Sequence, residues 1–370
     1  MEGSRRVRAE DAEERFAPPR RRKKRKSIPA LILQDALLTG AILLVFALFH
    51  HVIPRMTAER YEMPAPVSLA SPAPTAAPTS APQETGAVEE TAPAQTPEPT
   101  PEPTPDPMDW RTKFAEHFTE EVVVTEDSYT SPNIAIHIEK CVTDDPSPST
   151  YFVADIYVAQ IENFQTEWAM GRLVYYGEES PLSLAKRTGA ILSINGDYAD
   201  GQLSGLLVRN GELYYDEQTT NDICVLYADG TMETYGANEY KVADVLARQP
   251  WQIWKFGPQL LDSEGQPLTS FNTSREIKNE NPRSGVGYYE PGHYCFIVVD
   301  GRQAGYSRGL ELDRFAQIFA DLGCTAAYNL DGGASAVMTF DQRLYSRPSN
   351  GGRNSGDILF IAELGEAGED

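Results

Sequence analysis

Apolar and polar positions follow two periods along this chain, and the two-residue period dominates from Trp110 onward. VVVTEDSYTSPNIAIHIEKCV (122–142) alternates as strands do, and YFVADIYVAQI (151–161) sends Phe152, Ala154, Ile156 and Val158 to one face. LSGLLVRNGELYY (203–215) and VLYADGTMETY (225–235) set Asn210-Gly211 and Asp229-Gly230 between β-formers, which predicts two hairpins. WKFGPQLLDSEGQP (254–267) predicts a strand with a further turn, and HYCFIVVDGR (293–302) a buried strand ending in a charged turn. A last strand is predicted near DILFIAEL (357–364).

The 3.6-residue period is rarer. LELDRFAQIFADLGC (310–324) is the clearest helix, with Leu312, Phe315, Ile318, Phe319 and Leu322 on its apolar face and Gly323 placed to cap it. Shorter helices are predicted over 111–119, 182–188 and 241–249. Many strands joined by hairpins with few helices predict an α+β domain. Its expected form is one large mixed, mostly antiparallel sheet with helices packed on it.

Upstream of Trp110 neither period holds. Residues 63–107 are rich in Pro, Thr, Ala and Glu and end in TPEPTPEPTPDP, a composition that favours extended polyproline II over a packed core. Residues 28–53, IPALILQDALLTGAILLVFALFHHVI, are apolar for longer than the ~20 residues that one membrane crossing needs. The basic run Arg20 to Lys26 precedes them, which holds the N-terminus in the cytoplasm and sends the rest outside. A cleaved signal peptide is the rival reading. It is disfavoured because the segment is long and ends in Phe49-His50-His51 without a small-residue cleavage site. The expected organisation is therefore a basic tail (1–27), a signal anchor (28–53), a disordered linker (54–107) and one extracytoplasmic domain (108–370). Tail, single anchor and stalk together point to a single-pass protein of a bacterial cell membrane.

Charge narrows the partners. The net charge is −22, but residues 1–60 hold 13 Lys/Arg against 7 Asp/Glu, while 61–370 hold 19 against 47. An acidic body repels nucleic acid, so DNA or RNA binding is excluded. The four cysteines, Cys141, Cys224, Cys295 and Cys324, show no CxxC spacing. They read best as small buried hydrophobes, with up to two disulfides left open.

Three apolar runs empty into polar, glycine-containing turns: SINGDYAD (193–200), VVDGR (298–302) and NLDGGAS (329–335). Pro282-Arg283-Ser284 and Gly352-Arg353-Asn354 supply further arginines. Any one of these turns alone reads as structural. Gathered at one edge, they would place Asn195, Asp197, Asp300, Asp331 and several arginines around one cleft. Gly332 and Gly333 would offer backbone N–H groups to an anion.

The stretch from Pro282 to Met338 resembles the phosphodiester glycosidase family. Its pattern is a proline-arginine pair before a strand, then DGR, an amphipathic helix, and NLDGGGS. This chain supplies Pro282-Arg283, Asp300-Gly301-Arg302, the 310–322 helix and Asn329 to Ser335. Upstream, SINGDY (193–198) and FGPQLL (256–261) extend the likeness to roughly 150–364. Two positions depart from the pattern: Ala334 stands where a third glycine is common, and Asp197 where many members carry another glycine.

The resemblance implies hydrolysis of a sugar-1-phosphodiester. Arg283 and Arg302 suit phosphate oxygens, with Arg353 a further binding residue. Asp300 and Asp331 are the candidate catalytic carboxylates, as stabilisers of an oxocarbenium-like centre or activators of water. Asn195 and Asn329 are expected to position sugar hydroxyls. Ser335 is a binding candidate only, because His137 and His293 alone lie in the family-like region and a Ser-His-Asp nucleophile is disfavoured. No cofactor is required, although Asp197, Asp300 or Asp331 could hold a divalent cation. Expected partners are a sugar phosphate or a wall glycopolymer or exopolysaccharide, and the membrane through 28–53. Two competing readings are a glycan-binding module without catalysis and a purely structural envelope protein.

Overall fold

A computed structural model of the chain describes residues 37–41, 66–69, 110–202 and 204–364. By backbone contacts the chain divides into Met1–Glu59 and Arg60–Asp370. In the first unit residues 37–41 are helical and exposed. No helix among the described residues is long and apolar enough to cross a membrane. The expected tail (1–27), the remainder of the 28–53 anchor and most of the 54–107 linker lie outside the described residues.

The second unit is α+β, but one large mixed sheet is replaced by three antiparallel ones, of seven, six and five strands. Alternation along a strand shows which face is buried. It does not show which strand lies beside it, and the partition was invisible for that reason.

In the seven-stranded sheet, Arg283–Glu290 lies between Ala326–Asn329 and His293–Val299, followed by Thr150–Val158, Ile134–Val142, Ser128–Thr130 and Val123–Val124. The helix Leu312–Asp321 covers one face through Leu312, Phe315, Ala316, Ile318 and Phe319. Gly287 on the strand beneath makes room for it: a Cβ there would come within 2.8 Å of Phe319 and of the Cys295 and Cys324 sulfurs. Leu322, assigned to the buried face by periodicity, is 39% exposed because the helix has ended. Gly323 takes the positive φ that this exit needs (82°).

The six-stranded sheet contains both expected hairpins, Leu206–Arg209 with Glu212–Asp216 and Ile223–Tyr227 with Met232–Tyr235. Asn210 and Gly211 have φ of 52° and 74°, as a type I′ turn demands. The edge of this sheet carries a surprise from the Pro-rich linker: Val67–Ser68 pairs antiparallel with Leu213 and Glu212. That short piece of the expected stalk is folded onto the domain.

The five-stranded sheet joins Leu192–Asn195 to Asp357–Ile361 and Met338–Phe340, with Phe164–Trp168 and Arg343–Leu344 at its edges. The strand expected over 254–267 is displaced: Pro250–Trp254 is the strand, and only isolated bridges follow. Pro258 and Pro267 cannot donate to a ladder there. All four cysteines are thiols, with the Cys295 and Cys324 sulfurs 3.7 Å apart.

Candidate active site

Antiparallel pairing gathers the chemistry-bearing turns. Arg283 opens its strand opposite Val299, the last residue before Asp300-Gly301-Arg302. Asn329 closes its strand opposite Gly285, so NLDGGAS leaves at the same end. The five-stranded sheet brings its own end alongside, with Ile358 opposite Asn195. Asn195 ties the two sheets together, donating from Nδ2 to the Asp331 carbonyl (2.7 Å) while accepting from Ser284 Oγ (2.6 Å).

These ends enclose a cavity of about 290 Å³ whose lining includes Arg283, Arg302, Asn329, Asp331 and Arg353. Asp331 and Glu276 are the carboxylates of its lining. Arg353 Nη2 donates to Asp331 Oδ2 at 2.8 Å, and Arg353 also reaches Ser335 Oγ through Nε (2.9 Å) and Nη2 (2.5 Å). Arg302 donates to Asn281 Oδ1 at 2.6 Å and lies flat against Gly333, where a Cβ would be 3.2 Å from its nitrogens. Gly333 is therefore glycine twice over, for its φ of 65° and for the guanidinium above it.

Arg283 is 2% exposed. It gives Nε to the Leu310 carbonyl (3.0 Å) and Nη2 to that of Asn279 (2.5 Å). Burial, and then the repulsion of Arg302, push its guanidinium down to about 10. Asn329 is spent on one side only. Its Nδ2 donates to the Gly257 carbonyl at 2.8 Å, while Oδ1 is buried without a partner. The mutually repelling guanidiniums of Arg283 and Arg302, with Arg353, the unsatisfied Asn329 acceptor and the carboxylates of Asp331 and Glu276, thus line one small space, whose excess of arginine suits an anion that also carries hydroxyls.

Residues 188–362 match the family model described as phosphodiester glycosidase. That stretch, just under half of the chain, is similar to the phosphodiester glycosidase family. Its fold is similar to that of the catalytic domain of zebrafish N-acetylglucosamine-1-phosphodiester alpha-N-acetylglucosaminidase. That likeness has a TM-score of 0.53 at 21% identity, over 66% of this chain and 88% of that one. The chain is also 29% identical over 186 residues to the SPbeta prophage-derived uncharacterized protein YomE of Bacillus subtilis (strain 168). The matched region is 48% of this chain and 29% of that relative, so the chain spans well under half its length.

Within this stretch the candidates separate. Arg283, Arg302, Asn329, Asp331, Gly332, Gly333 and Arg353 all line the cavity. The expected anion cradle of Gly332 and Gly333 does not form. The Gly332 N–H is bonded to Asp331 Oδ1 (2.9 Å) and the Gly333 N–H to the Pro282 carbonyl (3.0 Å). Gly332 instead permits close packing, since a Cβ would stand 2.6 Å from the Pro282 oxygen.

Asp300 lies apart from this cavity. It is 1% exposed, and its carboxylate accepts from the Tyr306 hydroxyl (2.8 Å) and from the Arg347 N–H (3.0 Å). Burial pushes it up to about 6 against those two donors. Asn195 is fully buried, with both ends of its amide engaged by protein, so it braces the site and is not available to sugar hydroxyls. Asp197 accepts from Arg209 Nη2 (2.6 Å) and the Lys255 N–H (2.7 Å) deep in the core. Among the described residues no group of three or more His, Cys, Asp or Glu side chains is arranged to hold a metal ion.

A second cavity of about 170 Å³ shares Asp331 and Arg353 with the first and adds Tyr176, Glu178, Tyr198, Asp200 and Ser335. Asp200 was not singled out from the sequence, although it ends the SINGDYAD stretch. A carboxylate in a polar turn looks ordinary until its burial is known. The buried Arg209 and Lys255 were missed as well. Their signal was a charge closing an apolar run, in LLVR and in QIWK.

Proposed function

We propose that this chain hydrolyses a sugar-1-phosphodiester, breaking the bond between the anomeric carbon and the phosphate oxygen. The observation that carries this reading is the pairing of Arg283 with Arg302 beside Asp331 in one cavity. A phosphodiester anion there relieves the repulsion between the guanidiniums. It also offers hydroxyls to the free Asn329 oxygen.

The chemistry follows from the residues. A phosphomonoester leaves with the bonding electron pair, and cations stabilise the charge it gathers, so strong general acid assistance is unnecessary. Asp331 faces the positive charge that develops at the anomeric carbon, as nucleophile or as counter-charge to an oxocarbenium-like centre. Water then supplies the oxygen to the sugar, and its second proton is released at the phosphate. Arg353 couples binding to this step. A phosphate oxygen that draws Arg353 away frees Asp331 from the 2.8 Å ion pair that holds it. The test is sugar release by the full-length chain from UDP-GlcNAc and a panel of sugar-1-phosphodiesters. Sugar is expected in equal amount with the phosphate product, UDP from UDP-GlcNAc and a phosphomonoester from the others, and no release by folded protein across the panel contradicts the reading.

The same reading places the domain outside a bacterial cell membrane, carried on the 28–53 anchor, with wall glycopolymers or exopolysaccharides as substrates. The basic run Arg20 to Lys26 before an apolar segment supports that orientation. Protease added to intact cells should then digest residues 110–364. Digestion only after lysis contradicts the placement.

A further inference from the structure

The second cavity has a carboxyl group that nothing in the first explains. Asp200 is 2% exposed, its Oδ1 has no hydrogen-bond partner, and the residue lines the space that Asp331 and Arg353 also face. Room for that carboxyl depends on a glycine, because a Cβ on Gly356 would lie 2.1 Å from Oδ1.

Among the described residues no cation answers it. Arg209 divides itself between Asp197 (2.6 Å) and Asp357 (3.2 Å). Lys255 donates Nζ to the carbonyls of Gln202 (2.7 Å) and Ser204. Arg353 is held by Asp331 and Ser335. The charges that do act on Asp200 are Asp357, Asp197 and Glu178, all of its own sign. Burial first, then Asp357, push its carboxyl up to about 8. An isolated carboxylate in such a place is costly, whereas the neutral acid carries a proton to donate.

We propose that Asp200 works as a neutral carboxylic acid, donating its O–H to a sugar oxygen of a substrate held across the Asp331–Arg353 pair. This rests on the sugar-phosphodiester reading and adds the group that contacts the sugar. The arginine cavity takes the phosphate. The second cavity has no cation besides the shared Arg353, and its tyrosines and carboxyls suit a neutral polyhydroxyl group. The two carboxyls then differ in surroundings, Asp331 meeting the arginine that a phosphate can draw off and Asp200 meeting carboxylates.

The test is calorimetric binding of a non-hydrolysable probe, the methyl ester of GlcNAc-1-phosphonate, to the full-length chain from about pH 6 to about pH 9.5. The probe stays a monoanion throughout. Wild-type affinity is expected to fall about tenfold as the Asp200 proton is lost near the value its surroundings impose. Asp200→Asn keeps an N–H donor that cannot titrate, so it should bind a few-fold more weakly and lose the alkaline fall. Asp200→Ala should bind about tenfold more weakly than wild type near pH 6.5.

Wild-type affinity that is flat with pH overturns the proposal. So does an alkaline fall that persists in Asp200→Asn, which would assign it to a neighbour, either Asp357, whose carboxyl burial raises to about 7, or Lys255, whose ammonium burial lowers to about 8. Binding with the expected profile but no turnover of any phosphodiester contradicts the hydrolase reading and leaves the Asp200 contact standing. Turnover with a pH-flat affinity does the reverse, and absence of binding at every pH contradicts both.

Discussion

Two turns in this chain look like twins. DGR (300–302) and DGG (331–333) each follow an apolar strand, each begin with aspartate and glycine, and the two strands flank the same neighbour in one sheet. Their aspartates have opposite fates. Asp300 turns inward, where Tyr306 and the Arg347 N–H use up its carboxylate and fix the 345–348 segment. Asp331 turns into the cavity, where its one ion-pair partner among the described residues, Arg353, is half exposed and displaceable. A strand-end carboxylate becomes chemical when its charge is met by something a ligand can replace. It becomes structural when backbone and phenol saturate it.

The sharpest way to break this comparison is to neutralise each aspartate. Asp331→Asn keeps the shape of the turn and should lower kcat about 10³-fold with little change in Tm. Similar rates for Asp331→Asn and wild type would remove Asp331 from the chemistry. The arginines come next. Arg302→Lys replaces a planar fork by a point charge and should cut kcat/KM by about 10- to 100-fold, chiefly through KM.

Asp300→Asn should do the opposite of Asp331→Asn. Its kcat should change only a few-fold, while the unfolding free energy falls by about 1–3 kcal/mol, read from denaturant melts. A 10³-fold loss of kcat at unchanged stability would reverse the two roles. Gly332→Ala is expected to lose about 1–3 kcal/mol, since its methyl meets the Pro282 oxygen and the turn must shift.

The smallest effect is in pH. The folded-state value for Asp300 is raised from 3.8 to about 6, so the folded chain holds this proton more tightly than the unfolded one. Its contribution is complete below the unfolded value and is lost as pH rises through about 6. The stability deficit of Asp300→Asn should therefore be smaller at pH 7 than at pH 4.

Much of this fold was legible because it is local. Asn210-Gly211 and Asp229-Gly230 announce their hairpins, and the Phe315-Ile318-Phe319 stripe announces the helix over the sheet. The convergence of 283, 302, 329–333 and 353 was legible as a set of similar strand ends, although the strands belong to two sheets. What the residues could not disclose is direction. Nothing in DGR tells Asp300 to face Tyr306, and nothing in NLDGG tells the glycine N–H groups that Asp331 and Pro282 will occupy them. Asn195 looked like a sugar ligand and proved a brace between sheets, because its partners come from sequence positions far apart. Asp200 shows the same limit from the other side, being conspicuous only once Arg209 is seen to serve Asp197 and Asp357 instead.

The central claim is that the bond broken lies on the sugar side of the phosphate. Hydrolysis of a GlcNAc-1-phosphodiester by the full-length chain in ¹⁸O-labelled water, read by mass spectrometry of both products, tests it most directly. The site described here predicts ¹⁸O in the released sugar and none in the phosphomonoester. Label in the phosphate would mean attack at phosphorus, and would contradict the assignment of Asp331 to the anomeric carbon.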